Sequence, residues 1–211
     1  MKKSLTLGML LVLTFSFGQK LFIVKADDKF GLINDSGLEV ISPKYNSIQE
    51  FDRDHVNWAM VELNGLFGFV DKSGKIVVEP KYESIGVYGA NNSGWALVKK
   101  DGKLGFIDED GKEVVPPTFI KIGNFGEYSK EWAVVEEQGL KGFINRQGGL
   151  VIPPKYAEVE KFDIIRKNWA MVKSRAEKFG FIDKTGKEII PVTYDSIEIF
   201  RKNKTNIVAT E

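Results

Sequence analysis

The stretch WAMVELNGLFGFVDKSGKIVVEPKY, running from Trp58 to Tyr82, decides the fold. Trp58 to Leu63 reads as a strand by its apolar content, and Asn64-Gly65 follows, a dipeptide that readily takes positive φ in a tight hairpin. The next strand runs Leu66 to Asp71. Asp71-Lys72-Ser73-Gly74 reads as a second turn, in which the aspartate bonds the backbone ahead of it and the glycine takes the left-handed position. A third strand carries the β-branched pair Val77-Val78. Pro80 is expected to end it, because proline cannot donate to a sheet ladder.

The same reading applies five times. Gly31, Gly68, Gly105, Gly142 and Gly180 form one column, and Gly37, Gly74, Gly111, Gly148 and Gly186 a second, at steps of 37, 37, 37 and 38 residues. An aromatic column (Tyr45, Tyr82, Phe119, Tyr156, Tyr194) and a tryptophan column (Trp58, Trp95, Trp132, Trp169) keep the same period. Two further columns, Ile48, Ile85, Ile122, Val159, Ile197 and Phe51, Tyr88, Phe125, Phe162, Phe200, read as core. Such phase-locked columns identify a tandem array whose units stack on one another. No stretch shows sustained helical periodicity, so the expected fold is all-β. The units fall at about 21–58, 59–95, 96–132, 133–169 and 170–211. We expect tandem β-meanders in an open, twisted array, the alternative being a five-bladed β-propeller, for which 37 residues per four-stranded blade is short. Asn206 to Thr210 reads as the first strand of an unfinished sixth unit.

Glycine inside a strand costs stability unless a bulge or another backbone needs the space, so the Gly68 column implies close contact between neighbouring units. Ala59, Ala96, Ala133 and Ala170, each directly after a tryptophan, support the same close approach.

These columns resemble the WG-repeat family, in Ala59-x-Val61, Gly68-Phe69-Val70-Asp71, Gly74-Lys75 and Val78-x-Pro80-Lys81-Tyr82. The departure is the family's tryptophan before the glycine, replaced here by Phe30, Phe67, Leu104, Lys141 and Phe179. The resemblance implies a β-rich repeat module common in bacterial proteins, many of them exported, and it implies no catalytic residues.

Met1 to Gly18 has the parts of a secretory signal: Lys2-Lys3, an apolar stretch from Leu5 to Phe17, and small Ser16 and Gly18 before Gln19. The expectation is cleavage there, leaving 19–211 as a single repeat domain without a stable membrane anchor, in the periplasm, at the cell surface or secreted. With Cys 0, neither disulfides nor a lipid-modified cysteine is available. Cleavage would remove Lys2 and Lys3 from 30 basic residues, leaving 28 against 29 acids, a charge near −1 that does not favour nucleic acid. Asn34, Asn91 and Asn203 open glycosylation sequons that matter only in a eukaryotic secretory pathway.

One histidine and no cysteine leave little for nucleophilic dyads or zinc. Asp71, Asp108 and Asp183 sit at a repeating turn position and read as structural; a catalytic carboxylate pair should break the repeat. Asp108-Glu109-Asp110-Gly111 lacks the downstream glutamate of a calcium loop. The expectation is therefore no catalytic residue, no metal and no cofactor. The tryptophans read as core filler between units, the alternative being a stacking platform for sugar rings. The best candidate surface is the six-residue loop before each tryptophan, at 52–57, 89–94, 126–131 and 163–168, with 201–206 in the matching place. Its length is held while its content varies, and such loops of a stacked array share one edge. Candidate ligand-binding residues on that edge or its rim are Arg53, His55, Tyr88, Tyr128, Arg166 and Lys167, and Asn92 is expected to be an exposed loop residue. The functional expectation is a non-enzymatic binding or scaffolding module for a protein or a cell-envelope polysaccharide. The alternatives are a carboxylate-based hydrolase acting on glycans and a purely structural envelope protein.

Overall fold

The computed structural model describes residues 20–198, all strand, turn and loop with no helix. The signal-like segment and Asn206 to Thr210 lie outside the described residues. The first sheet has three strands, β1 (Leu21–Ala26), β2 (Lys29–Asn34) and β3 (Glu39–Tyr45). Each later sheet adds a two-residue strand in front. The second holds β4 (Ser47–Ile48), β5 (Trp58–Leu63), β6 (Leu66–Asp71) and β7 (Ile76–Tyr82). The third holds β8 (Ser84–Ile85), β9 (Ala96–Lys100), β10 (Lys103–Ile107) and β11 (Glu113–Phe119). The fourth holds β12 (Lys121–Ile122), β13 (Trp132–Glu137), β14 (Leu140–Asn145) and β15 (Leu150–Tyr156), and the fifth β16 (Glu158–Val159), β17 (Trp169–Lys173), β18 (Phe179–Asp183) and β19 (Glu188–Tyr194). Strand pairing is antiparallel throughout, each strand beside its sequence neighbour. Among the described residues no strand of the first sheet pairs with the fifth, and Phe22 and Tyr194 at the two ends are 49% and 50% exposed. The array is open.

The turns form as their residues dictate. Asn64 and Gly65 both take positive φ (53° and 78°), which matches the twist of the flanking strands. Asp71 Oδ1 accepts from the Ser73 and Lys75 N–H groups at 2.9 and 3.0 Å, closing the second turn. Asn34, Asp108, Asn145 and Asp183 repeat this.

The two glycine columns act differently from the sequence expectation for the first. A Cβ on Gly68 would lie 2.3 Å from the Val78 carbonyl oxygen and 2.6 Å from the Pro80 nitrogen, both in its own sheet. The glycine makes room for an irregularity where the register shifts between Phe67↔Tyr82 and Phe69↔Val78. Pro80 therefore does not end the strand, which continues to Tyr82 as the outer edge of the sheet, where a missing donor is tolerated and discourages further pairing. Contact between sheets falls to the second column: a Cβ on Gly74 would lie 2.6 Å from the Val40 carbonyl oxygen, and one on Gly111 2.5 Å from Val78 Cγ2.

Alternation along the strands gives every sheet two apolar faces. From the second sheet, the front face contributes Phe69, Val78 and Tyr82; the rear face of the third answers with Ala96, Val98 and Ile107. The other three seams repeat this: Leu32, Ile41, Tyr45 against Ala59, Val61, Val70; Phe106, Val115, Phe119 against Ala133, Val135, Ile144; Phe143, Ile152, Tyr156 against Ala170, Val172, Ile182. The alanines are 0–1% exposed, so their small size sets the approach of one sheet to the next.

Candidate binding edge

The four six-residue loops share one backbone. The N–H groups of Asp52, Gly89, Gly126 and Asp163 donate to the carbonyls of Trp58, Trp95, Trp132 and Trp169 at 3.1, 2.9, 3.1 and 3.1 Å. Each tryptophan N–H in turn donates to the third residue before it, His55, Asn92, Ser129 or Arg166, at 3.0–3.2 Å. The first loop residue has positive φ in all four (64°, 80°, 92° and 69°), which confines it to glycine or aspartate here. Where it is aspartate, its carboxylate accepts from the last loop N–H, Asn57 or Asn168, and pairs with a lysine of the same sheet's second turn, Asp52 with Lys72 at 2.7 Å and Asp163 with Lys184 at 2.5 Å. Those partners, the lysine hydrogen bond foremost, hold both carboxyls below the usual aspartate range. Loops and second turns therefore lie along one edge.

The candidate residues do not form one cluster. His55 stacks on Trp58, with centroids 3.9 Å apart, and meets the ring of Tyr88, the residue before the next loop, at 4.9 Å. His55 is thus half-buried in an aromatic group rather than solvated. Tyr88 also faces Phe69 at 6.2 Å, and burial pushes its hydroxyl pKa up, with Asp108 and Glu109 adding to the shift. Tyr128 packs edge-on to Phe143 at 5.5 Å, and its carbonyl accepts from the Phe162 N–H at 3.2 Å, tying one loop to the next. The Arg166 guanidinium lies 4.4 Å from the Trp169 ring centroid. Arg53 and Lys167 are exposed.

The tryptophans divide. Trp95 and Trp132 are 8% exposed and pack against Phe106 and Phe125, and against Phe143 and Phe162, spanning the seams as core. Trp58 and Trp169 are half-buried, under His55 and Arg166.

Asn92 corrects the sequence expectation. It is 8% exposed, and its Nδ2 donates to the Arg146 carbonyl while Arg146 Nη1 donates to its Oδ1, both at 3.0 Å. Arg146 also reaches the Lys130 carbonyl at 3.3 Å, Glu131 at 3.3 Å and the Phe125 ring at 4.8 Å, joining two loops and a turn. Sequence reading missed Arg146. Its signal was present: the second turn position reads Lys72, Glu109, Arg146, Lys184, a charge that varies with the neighbouring loop. Among the described residues no group of three or more His, Asp or Glu side chains is placed to share a metal ion.

Solved structures with similar strand arrangements include BamB from Moraxella catarrhalis (15% identity, 80% of this chain and 62% of that one, TM-score 0.29). The computationally designed Ika8 protein (16%, 86% and 62%, 0.29) and the WD40 beta propeller domain of Doa1 (10%, 77% and 61%, 0.28) are others. The chain spans about three-fifths of the length of each. No curated protein matches its sequence. The WG containing repeat matches at residues 30–67, 67–103, 105–140, 142–175 and 179–207, most of the chain in five successive copies, and the chain belongs to that family.

Proposed function

We propose that the chain is an exported, non-enzymatic binding or scaffolding module whose loop edge contacts another protein or a cell-envelope polysaccharide. One observation carries the reading: four loops keep a common hydrogen-bonded backbone while their side chains differ from loop to loop. Such an edge is preorganised, so little ordering entropy opposes binding, and its varied side chains can be matched to a partner. His55, Trp58 and Tyr88 offer an aromatic surface, and Arg53, Arg166 and Lys167 offer cations beside it. Export rests on Lys2-Lys3 and the apolar run that follows.

The test is retention of purified protein on peptidoglycan, isolated glycans and envelope extracts, comparing wild type with an Arg53→Ala/His55→Ala/Arg166→Ala variant of unchanged melting temperature. The expected result is saturable binding to one of these, weakened at least tenfold in the variant. Glycan turnover by wild type, lost on replacing two carboxylates, would overturn the non-enzymatic reading. Mass spectrometry should find a mature start near Gln19; intact Met1 on soluble cytoplasmic protein would overturn export.

A further inference from the structure

The later seams place three aromatic rings where the loop edge meets the core. In the third, Trp95 meets Phe106 at 5.3 Å and Phe125 at 6.2 Å, and the Arg146 guanidinium lies 4.8 Å from the Phe125 ring. In the fourth, Trp132 meets Phe143 at 5.6 Å and Phe162 at 5.3 Å. The second does the same with Trp58, Phe69 and Tyr88.

The first seam keeps only one of the three. Its tryptophan position is Leu21, paired to Asn34 as Trp132 is to Asn145, and its phenylalanine position is Leu32, paired to Ile23 as Phe143 is to Val134. Phe51 alone remains, with Lys72 5.9 Å from its centroid where Arg146 stands over Phe125. The aliphatic replacements do not reach across. Trp95 with Leu97, and Trp132 with Val134, belong to the apolar clusters of their seams, whereas the first seam's cluster holds neither Leu21 nor Ile23. Ile23 is 44% exposed, against 8% for Val134. What results is a groove of about 300 Å³ lined by Leu21, Ile23, Leu32, Glu50, Phe51 and Lys72. It lies at the loop edge, since Phe51 directly precedes the first loop and Lys72 pairs with Asp52 of that loop.

We propose that this groove is a binding site for an aromatic side chain of a partner protein, an indole foremost. The repeat itself supplies the argument: where the third and fourth seams hold an indole between two phenyl rings, the first offers the same place with the indole missing. Leu21, Ile23 and Leu32 give apolar walls, Phe51 gives a ring to pack against, and the exposed Glu50 carboxylate can accept from the single indole N–H. Lys72 is already engaged by Asp52 at 2.7 Å and by Asn57 at 3.3 Å. A sugar ring suits the groove poorly, because its several hydroxyls would lose water against aliphatic walls and find too few partners. The inference deepens the binding reading of the loop edge and rests on it for the class of partner, a protein.

The test is methyl NMR of the purified protein titrated with N-acetyltryptophanamide, N-acetylleucinamide and chitotriose. The tryptophan amide should shift the Leu21, Ile23 and Leu32 methyls saturably and bind more tightly than the other two. Leu21→Trp/Leu32→Phe, which copies the third and fourth seams, should raise the melting temperature and weaken that binding at least tenfold; Leu21→Trp alone serves if the pair overpacks. Four results would overturn the proposal: no saturable shift, shifts centred on another seam, tighter binding of chitotriose than of the tryptophan amide, or unchanged binding in a folded groove-filling variant. These probes do not involve Arg53, His55 or Arg166, so loss of envelope binding with the tryptophan amide still bound would count against the wider loop edge and not against the groove.

Discussion

The seam between the first and second sheets and the seam between the second and third each bury a tyrosine completely, yet they treat its hydroxyl differently. Tyr82 donates to Glu113 Oε1 at 2.8 Å, and Lys81 Nζ meets the same oxygen at 2.9 Å. Tyr45 has Ile76 at the corresponding position, and its hydroxyl finds no partner among the described residues. The remaining seams are self-consistent in opposite ways: Tyr156 has Glu188 at 3.4 Å, and apolar Phe119 is followed by Leu150 at the glutamate position. An aromatic and the residue one repeat later must agree, both polar or both apolar, because a buried hydroxyl without a partner loses its water and gains nothing. The first seam violates this rule.

The largest effect should come from inside a sheet. Gly105→Val would place a Cβ 2.3 Å from the Val115 carbonyl oxygen, with no flexible atom to yield, so we expect a loss of about 3 kcal/mol or more. Ala96→Leu, which wedges the second and third sheets apart, should cost about 1–3 kcal/mol. Thermal melts in which the seam variant suffers more would mean that seams, rather than sheets, limit stability.

Glu113→Leu copies the first seam's mismatch into the second and should cost about 1–3 kcal/mol, while adding Tyr82→Phe should recover much of it by copying Phe119 and Leu150. This difference should depend on pH. Lys81, followed by the Tyr82 hydrogen bond, holds the Glu113 carboxyl below its ordinary value of 4.5. A lowered folded-state pKa contributes stability above the unfolded value that disappears as pH falls through the folded one. Chemical denaturation should therefore show the full gap at neutral pH and a narrowing gap below about pH 4.5. A constant gap would locate the effect in packing alone.

Asn92→Ser should cost about 1 kcal/mol, because the hydroxyl cannot both donate to the Arg146 carbonyl and accept from its guanidinium in the amide's geometry. The smallest effect is expected at the mismatch itself: Tyr45→Phe should be neutral or stabilising by up to about 1 kcal/mol, whereas Tyr82→Phe should destabilise. Equal losses at both tyrosines would erase the distinction between the seams.

The periodic features were legible. Turn residues, the alanine column and the aromatic column recur because each unit solves one packing problem, and repetition exposes the solution. The Gly68 column was located correctly but assigned to the wrong contact, since sequence cannot say whether a crowded glycine faces its own sheet or a neighbour's. Asn92 and Arg146 escaped because their hydrogen bonds span 54 residues, and the varying charge at the second turn position does not say which loop it answers. The Tyr82–Glu113 partnership is visible only when departures from the repeat are compared with each other. Of the candidate edge, the loops' constant length was readable. Their shared backbone was not, because aspartate and glycine fill the first position interchangeably for a conformational reason that composition conceals.

The seams join each sheet only to the next in sequence, and this orders events in time. A growing chain can complete a sheet from about 36 consecutive residues, as from Ser47 to Tyr82, without waiting for distant segments. Its exposed front is then sealed by the rear strands of the unit made next. Assembly can proceed as a zipper from the first residues synthesised, with one sticky surface uncovered at a time, so a ribosome would release a chain with little opportunity to aggregate.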